Sequence, residues 1–283
     1  MSEQHTFGVD RLTVELGATL ALSGITLAVP PGAVTAVVGG DGAGKTTLLR
    51  CLVGEVRPTS GTVRRPGKHH LGYMPSTSGV WRDLSVAENV AFAATAYGIA
   101  PDTDRPLALL RAARLDDFTD RLAGDLSGGM RQKLGVVMAM LHEPALIVLD
   151  EPSTGVDPVS RVELWRLISE AAARGAAVLL ATTYIDEAER ASSLLVLDEG
   201  RLLVEGDAAS ITAAVPGTLM ATTTPIDRGH AWRRGTRFHE WRPTGVDDTD
   251  DTGEIADASA LTITPDLEDA VIIEMLSRRA VAT

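Results

Sequence analysis

The hydrophobic positions of this chain fall into short apolar runs separated by longer amphipathic stretches. Four of the runs have the length and the low polarity typical of strands buried on both faces of a sheet. These runs cover residues 33–38, 145–149, 176–181 and 194–197. Helical patterns occur between or beside them, at residues 45–53, 127–141 and 159–173. Because buried strands alternate with helices, we predict an α/β fold with a mostly parallel core sheet.

The first thirty residues follow a different pattern. Residues 12–16 and 25–29 predict two antiparallel strands, separated by turn-prone residues around Gly17 and Gly24.

The middle of the chain is helical. Residues 83–122 are rich in Ala and Leu, with breaks near Pro101 and Pro106. We therefore predict a helical subdomain at about residues 74–126.

The composition changes near residue 216. A Thr-rich stretch leads to Arg233 and Arg234, then to an acidic run at 247–254, and residues 265–279 predict a closing helix. We predict a main domain at residues 1–215 and a small C-terminal appendage at 216–283. The acidic run is expected to be a flexible, solvated loop.

Composition and charge narrow the classes of function. The chain has 283 residues and a net charge of -12, which argues against the phosphate-backbone contacts of a nucleic-acid binder. Its single cysteine, Cys51, allows no internal disulfide and fits a reducing compartment. The N-terminus is polar, and no apolar run approaches the roughly 18 residues of a spanning helix. We expect a soluble protein without direct membrane insertion, whose membrane role comes through a partner.

A glycine-rich turn between a predicted strand and a predicted helix matches the pattern GxxxxGK[ST]. The glycines let main-chain N–H groups point at phosphate oxygens, and the helix N-terminus favours negative charge. Lys45 would reach the β- and γ-phosphates, and the Thr46 hydroxyl would hold Mg²⁺. An ordinary glycine-rich turn is the alternative. The residues predicted to bind ATP here are Gly39, Gly40, Asp41, Gly42, Ala43, Gly44, Lys45, Thr46 and Thr47.

Two further segments carry candidate chemistry. The apolar run 146–149 ends in Asp150, a candidate Mg²⁺ ligand, and Glu151, a candidate general base for the attacking water. A strand followed by a helix-capping acid is the alternative. Ser127, Gly128 and Gly129 open a predicted helix and offer a second phosphate-binding surface, or simply an N-cap.

These segments, in this order, resemble the Walker A, signature (126–133) and Walker B motifs of ATP-binding-cassette (ABC) ATPases. Residues 153–158, with Asp157, are similar to the D-loop of that family. The resemblance covers about residues 9–206, and residues 72–75 and 186–189 look most like multidrug-type export ATPases. It implies a P-loop ABC ATPase fold and a head-to-tail dimer in which each ATP lies between one protomer's Walker motifs and the other's signature helix. It also implies a membrane permease subunit as partner, with this chain on the cytoplasmic face of the membrane.

Three positions depart from the family pattern, and all three belong to the nucleotide site. Leu16 stands where the family has an aromatic residue stacked on adenine, an interaction worth about 1–3 kcal/mol. Ser76 stands where the family motif ends in a glutamine that touches Mg²⁺ and water. Thr183 stands where the family has its switch histidine, and a hydroxyl cannot replace an imidazole beside the γ-phosphate.

The departures predict a site that binds nucleotide but hydrolyses it slowly. We do not expect Phe7 to supply the missing aromatic, nor His69 and His70, in an exposed loop, to supply the histidine. The signature segment and the D-loop are intact, as in the first ATPase half of tandem two-ATPase exporters, so we predict a heterodimer with a second, complete ATPase. Two rival hypotheses are a non-transport ABC protein and a nearly inactive regulatory nucleotide-binding module.

Overall fold

The computed structural model describes residues 6–99, 104–244 and 260–282. The chain divides into two compact units, Met1–Leu202 and Leu203–Thr283. The acidic run 247–254 and Pro101 lie outside the described residues. The domain boundary near residue 215 stays a prediction.

The first unit contains both strands and helices. Its strands are β1 (Phe7–Leu16), β2 (Thr19–Val29), β3 (Val34–Val38), β4 (Ser60–Arg64), β5 (Leu71–Met74), β6 (Leu146–Asp150), β7 (Ala177–Thr182) and β8 (Ser193–Asp198). Its helices are α1 (Lys45–Val53), α2 (Val86–Ala96), α3 (Arg105–Ala112), α4 (Gly128–Met140), α5 (Pro158–Ala173) and α6 (Ile185–Ala188). The division between the units falls within β9 (Arg201–Gly206).

The central sheet has the strand order β5-β6-β7-β3-β8-β9. The four pairings from β5 to β8 are parallel. Successive residues of β6 face two different cores: Leu146 and Val148 pack with α1 and the N-terminal strands, whereas Ile147 and Leu149 pack with the helices on the other side. Both faces are therefore covered, which explains the continuous apolar runs. The predicted α/β fold with a mostly parallel core sheet is confirmed.

The N-terminal strands form a separate antiparallel sheet of order β2-β1-β4. Both β1 and β2 are longer than the sequence predicts, and only the turn at Gly17 separates them. The prediction of a turn around Gly24 is wrong. Gly24 lies inside β2 with φ 66°, at the place where the β1–β2 register shifts between Leu12 and Val14. The glycine therefore allows an irregularity within the strand.

Helices occur at the predicted places. α1 matches residues 45–53, and α4 begins after the N-cap Ser127. Between β5 and α4 the described residues form α2, α3 and two short 3-10 turns. Ser85 and Glu88 form a capping box at the start of α2.

The second unit carries a sheet that the sequence reading did not predict. Strands β10 (Thr218–Thr222), β11 (Ala231–Arg234), β12 (Arg237–Arg242) and β13 (Leu261–Ile263) pair antiparallel in the order β11-β12-β10-β13. Its helices are α7 (Ala208–Ala213) and α8 (Leu267–Ala282), and α8 is the predicted closing helix. Leu219, Trp241 and Ile273 form its core.

Candidate nucleotide-binding site

The P-loop, Gly39–Thr46, is the turn between β3 and α1. Gly44 is the N-cap of α1 with φ 102°, and a Cβ there would lie 2.6 Å from Leu22 and 2.8 Å from the Ala21 carbonyl oxygen. A Cβ on Gly39 would lie 2.5 Å from the Leu197 carbonyl oxygen. Only glycine fits these two positions, because the loop is pressed against β2 and the end of β8.

The Lys45 side chain is buried and lies under the loop. Its Nζ donates to the carbonyl oxygens of Gly39 at 2.7 Å and Gly40 at 3.2 Å, and lies 3.2 Å from Glu151 Oε1. The ammonium is therefore placed between the P-loop and the end of β6. A phosphate held by the loop would lie within reach of this charge.

Thr46 and Asp150 join the start of α1 to the end of β6. The Thr46 hydroxyl donates to Asp150 Oδ1 at 3.3 Å. Asp150 is fully buried, and among the described residues its Oδ2 has no hydrogen-bond partner. Burial raises the pKa of the Asp150 carboxyl; the Thr46 hydrogen bond and the Lys45 charge lower it, and the Glu151 charge raises it. A buried carboxylate oxygen without a donor, beside a hydroxyl, fits Mg²⁺, which prefers oxygen ligands.

Glu151 follows β6 in a strained backbone conformation with φ 53°. A non-glycine residue in this region costs about 1–3 kcal/mol and is held by surrounding contacts. The contacts are present: Glu151 N donates to Ala181 O at 3.0 Å, and its Oε2 accepts from Thr154 Oγ1 at 3.1 Å and from Thr183 N at 3.3 Å. Thr183 thus reaches Glu151 through its main chain.

A cleft of about 470 Å³ lies over the P-loop. It is lined by the predicted residues Gly40, Asp41, Gly42, Ala43, Gly44, Lys45, Thr46, Thr47 and Glu151. The sequence reading missed four more: Thr19, Leu20, Ala21 and Glu199. The first three open β2, and Glu199 belongs to the two-residue turn between β8 and β9. The only signal for these four residues in the sequence is that they lie close to a glycine turn.

The positions considered for the missing aromatic do not line this cleft. Leu16 is exposed at the end of β1, and the apolar side chain that does line the cleft is Leu20, four residues later. Phe7 pairs with Val29 and packs against the core formed by α1 and the N-terminal strands. Ser76 is exposed in the turn after β5, also outside the lining.

His69 and His70 lie exposed in a 3-10 turn, as expected. Within the described ranges, no group of three or more His, Cys, Asp or Glu residues is placed to hold a metal ion.

The signature segment is a second helix start, separate from the cleft lining. Ser127 Oγ accepts from Met130 N at 3.2 Å. A Cβ on Gly129 would lie 3.4 Å from Val156 and 3.8 Å from Asp157 Oδ2. Asp157 caps α5 by accepting from Val159 N and Ser160 N, and these hydrogen bonds, with that of the Ser160 hydroxyl, lower its pKa. Ser127, Gly128, Gly129 and Asp157 therefore form one group, and the P-loop with Asp150 and Glu151 forms another.

A P-loop at the carboxyl end of a parallel strand, beside two acidic residues, defines a P-loop nucleotide-binding protein. A family model described as ABC transporter matches residues 22–154. The chain is 33% identical over 221 residues to the Nod factor export ATP-binding protein I of Paraburkholderia xenovorans (strain LB400), covering 74% of this chain and 73% of that protein. The chain therefore belongs to the ABC transporter family of ATP-binding proteins, and the resemblance stated from its motifs is confirmed.

Two other similarities agree with this family. The chain is 40% identical over 217 residues to the probable multidrug ABC transporter ATP-binding protein YbhF of Escherichia coli (strain K12), covering 72% of this chain but only 38% of that protein. The solved structure of an ATP-binding subunit of an ABC transporter superposes with a TM-score of 0.68 at 31% identity, covering 74% of this chain and 92% of that one. In the part of the chain that the structure describes, no helix is long and apolar enough to cross a membrane.

Proposed function

We propose that this chain is the ATP-binding subunit of an exporter and drives a membrane permease from the cytoplasmic face of the membrane. One relative supports this direction of transport, because it is named as an export protein, and the other is named as a probable multidrug transporter protein. The chain spans 38% of the length of the latter relative.

The chemistry proposed for the cleft is the binding and slow hydrolysis of MgATP. Main-chain N–H groups at the start of α1 bind the phosphates, and Lys45 exchanges the carbonyl oxygens of Gly39 and Gly40 for phosphate oxygens. Thr46 and Asp150 would hold Mg²⁺, which neutralises phosphate charge when bound. Glu151 orients the attacking water and accepts its proton, a role worth about 10²- to 10⁴-fold in rate.

The residue hydrogen-bonded to Glu151 from the end of β7 supports slow turnover. Thr183 contributes a main-chain N–H at 3.3 Å and no imidazole, so it has no side chain that could carry a positive charge to the γ-phosphate. Ser76, exposed after β5, has a side chain too short for the role of the family's glutamine.

The separation of the two groups supports a composite site. Ser127, Gly128, Gly129 and Asp157 lie together and outside the lining of the P-loop cleft. A second, complete ATPase would present its own nucleotide to this group, whereas two copies of this chain would pair every signature segment with a degraded site. We therefore propose a heterodimer.

Titration of the full chain with MgATP in a calorimeter, followed by a single-turnover assay, tests the proposal. We expect saturable binding and a turnover well below the ordinary range of about 1–10³ s⁻¹. Absence of binding at millimolar MgATP would overturn the nucleotide-binding function. Turnover in the ordinary range by the chain alone would overturn the degraded site.

A further inference from the structure

A buried carboxylate that the proposed chemistry does not use is hydrogen-bonded to two loops next to Glu151 and Thr183. Glu187 of α6 is 1% exposed. Its Oε2 accepts from Ser153 Oγ at 2.6 Å and from Thr182 Oγ1 at 2.9 Å. Ser153 belongs to the turn after Glu151, and Thr182 ends β7. One buried oxygen therefore ties together two loops that are separated by about thirty residues of sequence.

The same two loops are tied a second time, one residue further along each. Glu151 Oε2 accepts from Thr154 Oγ1 and from Thr183 N. Ser153 and Thr182 are thus bound to Glu187, while Thr154 and Thr183 are bound to Glu151. The two carboxylates form parallel clamps across one gap. The contacts of Glu151, the proposed general base, form the inner clamp. The contacts of Glu187 form the outer clamp, which joins the same two loops.

Hydrogen bonds of the Thr182 hydroxyl also hold the turn that follows Thr182. Thr182 Oγ1 donates to Glu187 and accepts from Tyr184 N at 3.0 Å. Thr183 lies between these two held residues, so the direction of its N–H follows from the contacts of its neighbours.

Stability alone gives a weak reason for burying this charge. The positive charge paired with Glu187 is that of Arg161, whose Nε lies 3.6 Å from Glu187 Oε1. Neither of these two atoms has a hydrogen-bond partner among the described residues. The Arg161 guanidinium also lies over the Tyr184 ring at 4.7 Å. A buried ion pair is often no more stable than apolar residues of the same volume. What distinguishes Glu187 is that one oxygen accepts two hydroxyls on opposite loops.

We propose that Glu187 is a positioning residue for Glu151, which keeps the Ser153 and Thr182 loops at the separation that aims the Glu151 carboxylate into the cleft. The inference rests on the proposed function, because it takes Glu151 as the general base. Glu187 does not line the cleft, so it acts on the reaction only through these loops.

The test compares Glu187→Ala and Glu187→Gln with Glu240→Gln in the full chain. Glu240 is a matched control: it is 2% exposed and accepts from two main-chain N–H groups, but it lies in the second unit. Each variant is measured for melting temperature, for MgATP affinity by calorimetry and for single-turnover rate at saturating MgATP. Ser153→Ala and Thr182→Val each remove one donor of the outer clamp and decide the question if Glu187→Ala does not fold.

We expect Glu187→Ala to lower the rate at least about tenfold, because a small displacement of a catalytic group is costly, while MgATP affinity changes by less than about twofold. The rate of Glu187→Gln should fall between those of the wild type and Glu187→Ala, because its amide oxygen can accept both hydroxyl hydrogen bonds but its charge is lost. Glu240→Gln should lower the melting temperature only. An unchanged rate in folded Glu187→Ala, or equal losses in rate and affinity, would overturn the inference. So would wild-type protein that binds MgATP without any turnover, whereas wild-type protein that fails to bind overturns the proposed function instead.

Discussion

Two helices of the first unit begin at glycine-rich turns, and their surroundings differ. At α1 the turn lines a cleft together with the buried Lys45, whose Nζ contacts Gly39 and Glu151, and Thr46 is hydrogen-bonded to Asp150. At α4, Ser127 and Gly128 are exposed, and the nearest neighbours of the glycines are Gly155, Val156 and Asp157. A helix N-terminus attracts anions in both places, but of these two helix starts only that of α1 lines the cleft that also contains Lys45. To hold a nucleotide, the start of α4 needs the surface of a second protein.

The largest expected effect is the loss of binding on removal of the lysine at α1. Lys45→Ala should weaken MgATP binding by about 100-fold or more, because a buried, charge-assisted contact to phosphate is lost. Calorimetry on the full chain measures this. Lys68→Ala, an exposed lysine in the turn before β5, is the control and should bind as wild type. Retained affinity in Lys45→Ala would place the nucleotide elsewhere.

The second effect separates the two helix starts by function. Ser127→Arg fills the α4 surface, so it should nearly abolish transport in membranes that contain the whole transporter. MgATP affinity of the purified variant should stay within about twofold of wild type, because Ser127 does not line the cleft. Glu151→Gln should cost transport much less. Equal losses from both variants, in an assembly of two copies of this chain, would contradict the heterodimer.

The third effect is a gain of activity at the α1 cleft. Ser76→Gln with Thr183→His should raise single-turnover hydrolysis about tenfold or more, because an imidazole and an amide return to the site. The same pair of changes in a Glu151→Gln background is the control and should give no rise. If the rate rose there as well, Glu151 would not be the base.

The smallest effect is a pH dependence confined to the α1 cleft. Burial raises the pKa of Asp150, so its carboxyl takes up a proton at a higher pH than an ordinary aspartic acid. The Mg²⁺-dependent part of ATP affinity should therefore weaken as the pH falls through that pKa, by at most about tenfold per pH unit for one proton. Titrations with and without Mg²⁺ measure it. Asp150→Asn should remove this part of the affinity at every pH; a pH dependence that survives in Asp150→Asn belongs to another group.

The residues that sequence reading found are those that lie in one contiguous motif or at the end of a buried strand. The P-loop, Asp150 and Glu151 were predicted in this way, because a buried parallel strand has an unbroken apolar pattern and its carboxyl end is easy to locate. Glu199 and Thr19 were missed, because they reach the cleft only through packing of β2 and the β8–β9 turn on the P-loop. Glu187 lies within residues 186–189, which resemble the family, but the sequence assigns it no role in the site.

The sheet of the second unit was missed for a different reason. Its strands contain charged residues at positions where a half-buried strand usually has apolar ones, and the structure satisfies these charges locally. Asp269 of α8 is 1% exposed and lies 2.8 Å from His239 Nδ1 and 3.2 Å from an Arg234 nitrogen. A pattern of alternating hydrophobicity cannot show such a strand, because the polar side chains find their partners on a helix about thirty residues away.

The lining of the cleft also bears on which nucleotides the protein can tell apart. Among the described lining residues none is aromatic, and Leu20, 44% exposed, is the bulkiest apolar side chain there. A leucine offers a ring no stacking partner, whereas the P-loop with Lys45 is suited to phosphates, which all nucleoside triphosphates share. We therefore expect the cleft to bind nucleoside triphosphates through their phosphates, without preference for the base. GTP should then compete with ATP according to their cellular concentrations.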